Sequence, residues 1–467
     1  MRIAIEGENK HSYSAAMKSF RAALTSLAAL AVSCAVNSGQ SSTYGTTGAG
    51  AGGAAGNGTD AAAGGSGGVG GVGGNDSGVI STGGTGASAG AGGGTCTSGP
   101  NEDKDQDGWT VAQGDCNDCD PNVNPGAIDV LHPGEDGGPP TWGDEDCDGT
   151  PGDSVTTCDQ GLLLADVNPV DAAKAIELCQ TASASDRKFG LLSAAYVRAD
   201  GTPFANPDLQ VGIQSAFGPN VKVQAGANML VLSSGHARTI GQPGACGTLT
   251  CKINATGTAP PGFPQANPLC PPVSNICDDV ALEVKLRAPT NATGYSFNFK
   301  FYSFEFPESV CDKYNDQFIA LVSPAPNGSI NGNISFDSTG TPVSVDMGFF
   351  DVCDPSTASV FGYRCKKAGT YCPPLPNPYC PLGPAELKDT GFDVWKQLSG
   401  MPVTAAGATR WLTSQAPVKG GDEVTIRFAI WDTGNQQFDS TALIDNFQWL
   451  AEAGSVAVST EPVQNPK

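Results

Sequence analysis

Tyr295-Ser296-Phe297-Asn298-Phe299-Lys300-Phe301 sets an aromatic ring at every second position with polar side chains between. A period of two is the pattern of a half-buried strand, one face to a core and the other outward. Val280, Leu282, Val284 and Leu286 alternate in the same way with Glu283, Lys285 and Arg287. Val424, Ile426, Phe428 and Ile430 repeat the theme against Thr425 and Arg427. Phe318–Val322 and Met229–Leu232 are apolar on both faces, so they are expected to be central strands or strands covered on both sides. Many short strands from about Phe189 onward, separated by Gly, Pro and Asn turns, predict a mainly β fold: a β-sandwich of jelly-roll-like type. A single helix is expected ahead of it, with Asn168-Pro169 as cap and first turn and Val170–Cys179 as body.

Two insertions rich in proline and cysteine interrupt the strands, Gly241–Cys277 and Cys353–Pro384. Cys246, Cys251, Cys270 and Cys277 lie in the first; Cys353, Cys365, Cys372 and Cys380 lie in the second. Sixteen cysteines in all suit an oxidising compartment, and disulfides within each insertion are expected. Cys158 and Cys179 could clip the helix to the start of the domain. With Cys34 removed from the count, an odd cysteine, Cys119 or Cys311, would be free or unusually paired.

Upstream, the chain divides by composition. Residues 1–34 read as an export signal, with Lys18 and Arg21 ahead of the apolar run Ala22–Val32. The run closes on Leu30-Ala31-Val32-Ser33-Cys34, which resembles a bacterial lipoprotein box. That resemblance implies a lipidated Cys34 and an outer-membrane lipid anchor; plain cleavage would give a secreted product instead. Residues 35–95 are Gly, Ala, Ser and Thr, a flexible tether with nothing to bury. Residues 96–157 form an acidic cassette, 158–454 the sandwich and 455–467 a C-terminal tail. The formal net charge of −22 argues against nucleic acid as a partner.

Between Asn101 and Asp153 the cassette carries fifteen Asp or Glu residues and one base, Lys104. Carboxylates this dense repel unless a cation lies among them. Asp103, Asp105 and Asp107 run into Gly108-Trp109; Asp115, Asn117, Asp118 and Asp120 come next; Asp144, Asp146 and Asp148 run into Gly149. Alternating acids ahead of a glycine place oxygens around one point, as in calcium loops. These positions, with Trp109, are the candidate metal ligands, and calcium is the expected cofactor.

The same residues resemble the repeat of many myxobacterial surface proteins named after the methanotroph surface protein MopE. Asp103–Trp109, Asp115–Pro121, Asn124-Pro125-Gly126-Ala127 and Asp146–Gly149 match its segments in order. The resemblance implies copper binding. Carboxylate oxygens suit calcium better, and His132 is the imidazole nearest to hand.

Around the strands, Asp279–Glu283, Phe304-Glu305-Phe306-Pro307-Glu308, Tyr314–Phe318 and Leu443–Phe447 resemble the choice-of-anchor L domain over about 209–450. That resemblance implies an exported sandwich domain without an established catalytic activity. Glu305, Glu308, Asn315 and Asp316 are a candidate second metal or ligand site, with turn capping as the simpler role. As an acid and base they would instead serve a polysaccharide hydrolase. His236 after Ser233-Ser234-Gly235 reads as a loop histidine, and the chain is not expected to be an enzyme. The expectation is a cell-surface, calcium-binding adhesion module whose ligand is a glycan or matrix polymer.

Overall fold

The computed structural model describes residues 97–133, 138–152, 157–251, 253, 255–268, 270–273, 275–306, 309–351, 353, 380–393, 397–398, 401–402, 406–451 and 454–467. The export segment with Cys34, the tether, Glu308, Cys365 and Cys372 lie outside them.

Among the described residues, twelve strands build the sandwich: β1 (Gly190–Val197), β2 (Val211–Gln214), β3 (Met229–Ser233), β4 (Ile276–Arg287), β5 (Gly294–Ser303), β6 (Gln317–Ser323), β7 (Phe350–Asp351), β8 (Gly407–Thr409), β9 (Leu412–Pro417), β10 (Glu423–Thr433), β11 (Ser440–Leu450) and β12 (Ser459–Pro462). One sheet has the order β6-β10-β4-β1 and the other β7-β8-β5-β11-β3-β2, every pair antiparallel. Strand β9 continues along the edge of β5 beyond β8 and takes β12 on its far side. The segment 455–467, read as a tail, thus supplies a short edge strand.

The core lies between the sheets. From β5, Phe297 meets Phe428 edge-on at 4.9 Å between ring centroids, and Phe299 meets Phe318 at 5.3 Å. Val280, Leu282, Val284 and Leu286 of β4 are fully buried against the same aromatic face. Each such side chain contributes about 1.5–3 kcal/mol when removed from water.

The outward face of β5 departs from the half-buried pattern that its alternation predicts. All ten of its residues are buried, Ser296, Asn298 and Lys300 included. Inserted chain covers that face: Tyr302 packs on Phe217 and Phe392 at centroid distances of 5.1 and 5.3 Å, and Phe304 stacks on Phe392 at 4.5 Å. Lys300 then needs a partner inside, and Glu386 provides it, Nζ to Oε1 2.6 Å, with Thr409 O also at 2.6 Å. Period two reported the strand and could not report the cover.

The cysteines are more completely paired than the count suggests. Cys158–Cys179 forms as expected, and among the pairings left open within the insertions Cys246 bonds Cys251 and Cys353 bonds Cys380. Cys311, read as a free candidate, instead bonds Cys270 and ties the first insertion to the β5–β6 connection. Cys119 is also disulfide-bonded, and no free cysteine occurs among the described residues.

The helix α1 (Pro169–Lys174) starts where the cap signal placed it, with Asn168 Oδ1 accepting from Val170 N at 3.0 Å, but stops short of Cys179. Ile176 O instead accepts Phe447 N at 3.1 Å, and Glu177 turns to φ +68°, with Oε2 accepting Asn446 N at 2.7 Å. Glu177 therefore meets Asp445 and Asp159. Gly226 makes room for them: a Cβ there would lie 2.5 Å from Asp159 Oδ2 and 2.6 Å from Glu177 Oε1. Burial first, then the Asp445 carboxylate, raises Glu177 from its ordinary 4.5 to about 9, so it carries the proton of a bond to Asp445.

Because the folded value lies above the unfolded one, the stabilisation from this proton is complete below about pH 4.5 and lost as pH rises towards about 9. Glu177→Gln keeps a donor and loses the titration. Urea-unfolding midpoints of the two chains should diverge steadily in the variant's favour between about pH 5 and about pH 9; parallel curves would refute the assignment. Glu386→Ala, which strands a buried ammonium, should cost about 3–5 kcal/mol by the same measurement.

Candidate metal centre

Two loops of the cassette fold alike because each begins with the same alternation of acids. In the first, Gly108 N donates to Asp103 Oδ2 at 3.1 Å, Asp107 N to Asp105 Oδ1 at 3.2 Å and Trp109 N to Asp107 Oδ1 at 2.7 Å. In the second, Gly149 N donates to Asp144 Oδ1 at 3.2 Å, Asp148 N to Asp146 Oδ1 at 3.0 Å and Thr150 N to Asp148 Oδ1 at 2.7 Å. The glycines, at φ +96° and +88°, take the left-handed turn that lets the chain curl round its own carboxylates. Each loop also receives an acid from outside. Asp118 Oδ1 accepts Lys104 N at 3.0 Å, and Asp129 Oδ1 accepts Glu145 N at 2.8 Å. Cys116–Cys147 bonds one loop to the other.

Carboxylate oxygens of Asp103, Asp105 and Asp118 lie within 4.8 Å of one another, as do those of Asp105, Asp107 and Asp115, and of Asp129, Asp144 and Asp146. Asp115 and Asp118 are 3% and 2% exposed. Their Oδ2 atoms, with those of Asp105 and Asp107, have no hydrogen-bond partner. Burial first, then the neighbouring carboxylates, raises Asp105 and Asp115 and pushes Asp107 up to about 6. Clustered, desolvated acids whose free oxygens point at one another have the form of a hard-cation site.

Not every sequence candidate joins these clusters. Asp120 caps its own turn, accepting Asn122 N at 3.1 Å and Nδ2 at 3.0 Å. Asn117 contributes its backbone N–H to Asp115 Oδ1 at 2.8 Å. Trp109 is half-buried with its indole nitrogen beside Gly126. Asp129 is the ligand candidate that sequence reading missed. Its signal was present: a lone acid inside Ala127-Ile128-Asp129-Val130-Leu131 needs a polar partner once buried. His132 gives its Nε2 to Glu145 Oε1 at 2.6 Å, bracing the hairpin of Leu131–His132 with Thr141–Trp142.

The loops stand against the sandwich through the turn Asn124-Pro125-Gly126-Ala127. Gly126 O accepts Thr290 N at 2.9 Å, and Asn124 Oδ1 accepts Thr290 Oγ1 at 2.8 Å. Asn291 reads the next peptide on both sides, Nδ2 to Ile128 O at 2.8 Å and Oδ1 from Ile128 N at 3.1 Å. Thr290 and Asn291 form the turn between β4 and β5.

The second candidate group sits elsewhere, at strand ends inside the sandwich. Glu305, Asn315 and Asp316 are each no more than 1% exposed, so neither carboxylate is presented to solvent as an acid or base. Asp316 accepts Thr433 N at 2.9 Å and Ser440 Oγ at 2.7 Å, and Asn315 Nδ2 donates to Asp346 Oδ2 at 3.0 Å.

Antiparallel sheets in a disulfide-clamped sandwich define an extracellular or surface type of domain. The profile of the choice-of-anchor L domain matches residues 204–447, and the chain belongs to that family of surface-type domains. No curated protein matches the chain.

Asn291→Ala removes both bonds to Ile128. Limited proteolysis should then cut within residues 97–152 faster than in the parent chain while the sandwich keeps its melting transition; unchanged cutting would show that the docking turn does not hold the cassette.

Proposed function

We propose that this protein is an exported, calcium-binding adhesion module of the cell surface. In this reading a lipid on Cys34 anchors the chain in the outer membrane and residues 35–95 lift it off the surface. The MopE-like cassette binds calcium at the base of a sandwich that faces outward to a glycan or matrix polymer. The observation that carries it is the first of the two alike loops, in which buried oxygens of Asp105, Asp107, Asp115 and Asp118 lack any donor. Calcium accepts six to eight oxygen ligands of this kind, whereas copper prefers imidazole or sulfur. His132 is engaged by Glu145 and the cysteines near the loops are disulfide-bonded, which disfavours the copper reading. Calcium would relieve the repulsion within the loops and so stiffen the cassette where Asn124, Gly126 and Ile128 grip the sandwich.

After dialysis against mixed trace metals, the exported chain should retain about two calcium ions in the cassette. Asp105→Asn with Asp115→Asn should remove the ion of the first loop, and chelation should weaken binding to glycan or matrix. Copper retained in place of calcium would overturn the assignment.

A further inference from the structure

The bond Cys246–Cys251 joins cysteines five residues apart, against 21, 27, 31 and 41 for Cys158–Cys179, Cys353–Cys380, Cys116–Cys147 and Cys270–Cys311. A link over so short a span restrains the unfolded chain less than these do, so opening it takes less from the fold. It also has a neighbour of its own. A ring nitrogen of His236 lies within 4.8 Å of both sulfurs, and among the described residues no other disulfide has a histidine so placed.

A depression runs along this bond, lined by His236, Ile240, Thr248, Phe304 and Phe392 together with both cysteines. Ile240 is exposed beside it and offers an apolar contact. The two ends of the bond differ. Cys251 is buried, and its N–H donates to Asp439 Oδ2 at 2.7 Å, which anchors that end in the sandwich. Cys246 is half-buried, and Gly247 and Thr248 after it are exposed. His236 Nδ1 lies 2.7 Å from Gly244 O. A carbonyl only accepts, so Nδ1 carries the proton and the neutral ring presents its lone pair at Nε2. The Gly244 bond by itself is a turn brace and does not account for the sulfurs beside the ring. A half-exposed sulfur, an imidazole base and a cleft for approach are the surroundings in which thiol–disulfide exchange proceeds.

We propose that Cys246–Cys251 is an exchange site that captures an accessible thiol as a mixed disulfide, with His236 as its base. His236 Nε2 takes the proton of the incoming thiol, whose sulfur bonds to Cys246 Sγ as the Cys246–Cys251 bond breaks. The electron pair of that bond stays on Cys251 Sγ, which receives the proton back from Nε2. The incoming sulfur is oxidised and Cys251 is reduced, so no further oxidant enters. Neither calcium nor the cassette takes part.

The test exposes the full exported chain to 2-mercaptoethanol, a small neutral thiol, and separately to a cysteine peptide with leucine flanks, then quenches in acid and maps adducts by mass. In both arms the adduct should form on Cys246, about ten times faster than at Cys116–Cys147 or Cys158–Cys179; the faster arm names the source, small thiol or protein. His236→Asn keeps an N–H for Gly244 O and removes Nε2. It should bring the rate down to that of the other two disulfides with the melting temperature unchanged, and added imidazole should restore part of the loss. Equal rates at the three disulfides in the parent chain would overturn the proposal, as would adducts on Cys251. So would a His236→Asn chain that exchanges as fast as its parent or gains nothing from imidazole. Should that variant not fold, the comparison of the three disulfides decides alone.

Discussion

The aromatic face of β5 against the four-stranded sheet is the contact on which the remaining architecture rests. Phe297 and Phe299 reach Phe428 and Phe318 across the gap, and the aliphatic rows of β4 and β10 close around them. A strand so placed has neighbours on both edges, β11 on one and β8 with β9 on the other. Its outward face is then decided by what the insertions lay over it. The hairpin of Ala216–Phe217 with Val221–Lys222 and the segment 380–393 make a second core there, around Phe217, Tyr302 and Phe392. These covering segments are thus structural members of the fold, and Lys300 with Glu386 is the polar seam that joins residues 380–393 to the sheet.

Acidic residues divide by what surrounds them. In the cassette the two loops bend on Gly108 and Gly149 so that their carboxylates meet backbone N–H groups two to five residues ahead, and Asp118 and Asp129 join them from outside. In the sandwich they come from strands far apart in the chain and meet only when the sheets stack. Asp159, Glu177 and Asp445 form a third group, resolved locally by a proton and by amides at Gln224, Ala227, Asn228 and Asn446. The same chemistry has three outcomes because burial, donors and neighbours differ.

Much of the fold was legible in the residues. Alternation at Tyr295–Phe301 and Val280–Leu286 gave the strands, and the Asp-x-Asp-x-Asp-Gly spacing gave both cassette loops, because those signals depend on neighbours along the chain. Three features were not legible. Burial of Ser296, Asn298 and Lys300 depends on residues 380–393; the shortened helix depends on Asn446 and Phe447; and the acids around Asp316 include Asp432 and Asp439, more than a hundred residues away. Cys270–Cys311 belongs with these, since counting cysteines within one insertion hides a partner outside it. In each case a contact distant in sequence overrode a local pattern that was read correctly.

The order of the strands also bears on how the chain can be assembled. In both sheets an interior position is filled from the C-terminal part: β10 lies between β6 and β4, and β11 between β5 and β3. Until residues 423–450 arrive, each sheet is split into pieces with bare edges, and the aromatic row of β5 lacks Phe428. A chain threaded through a membrane from its N-terminus therefore has no complete sheet to settle into on the way. Its folding waits for the last strands, with the slow kinetics that such long-range pairing brings.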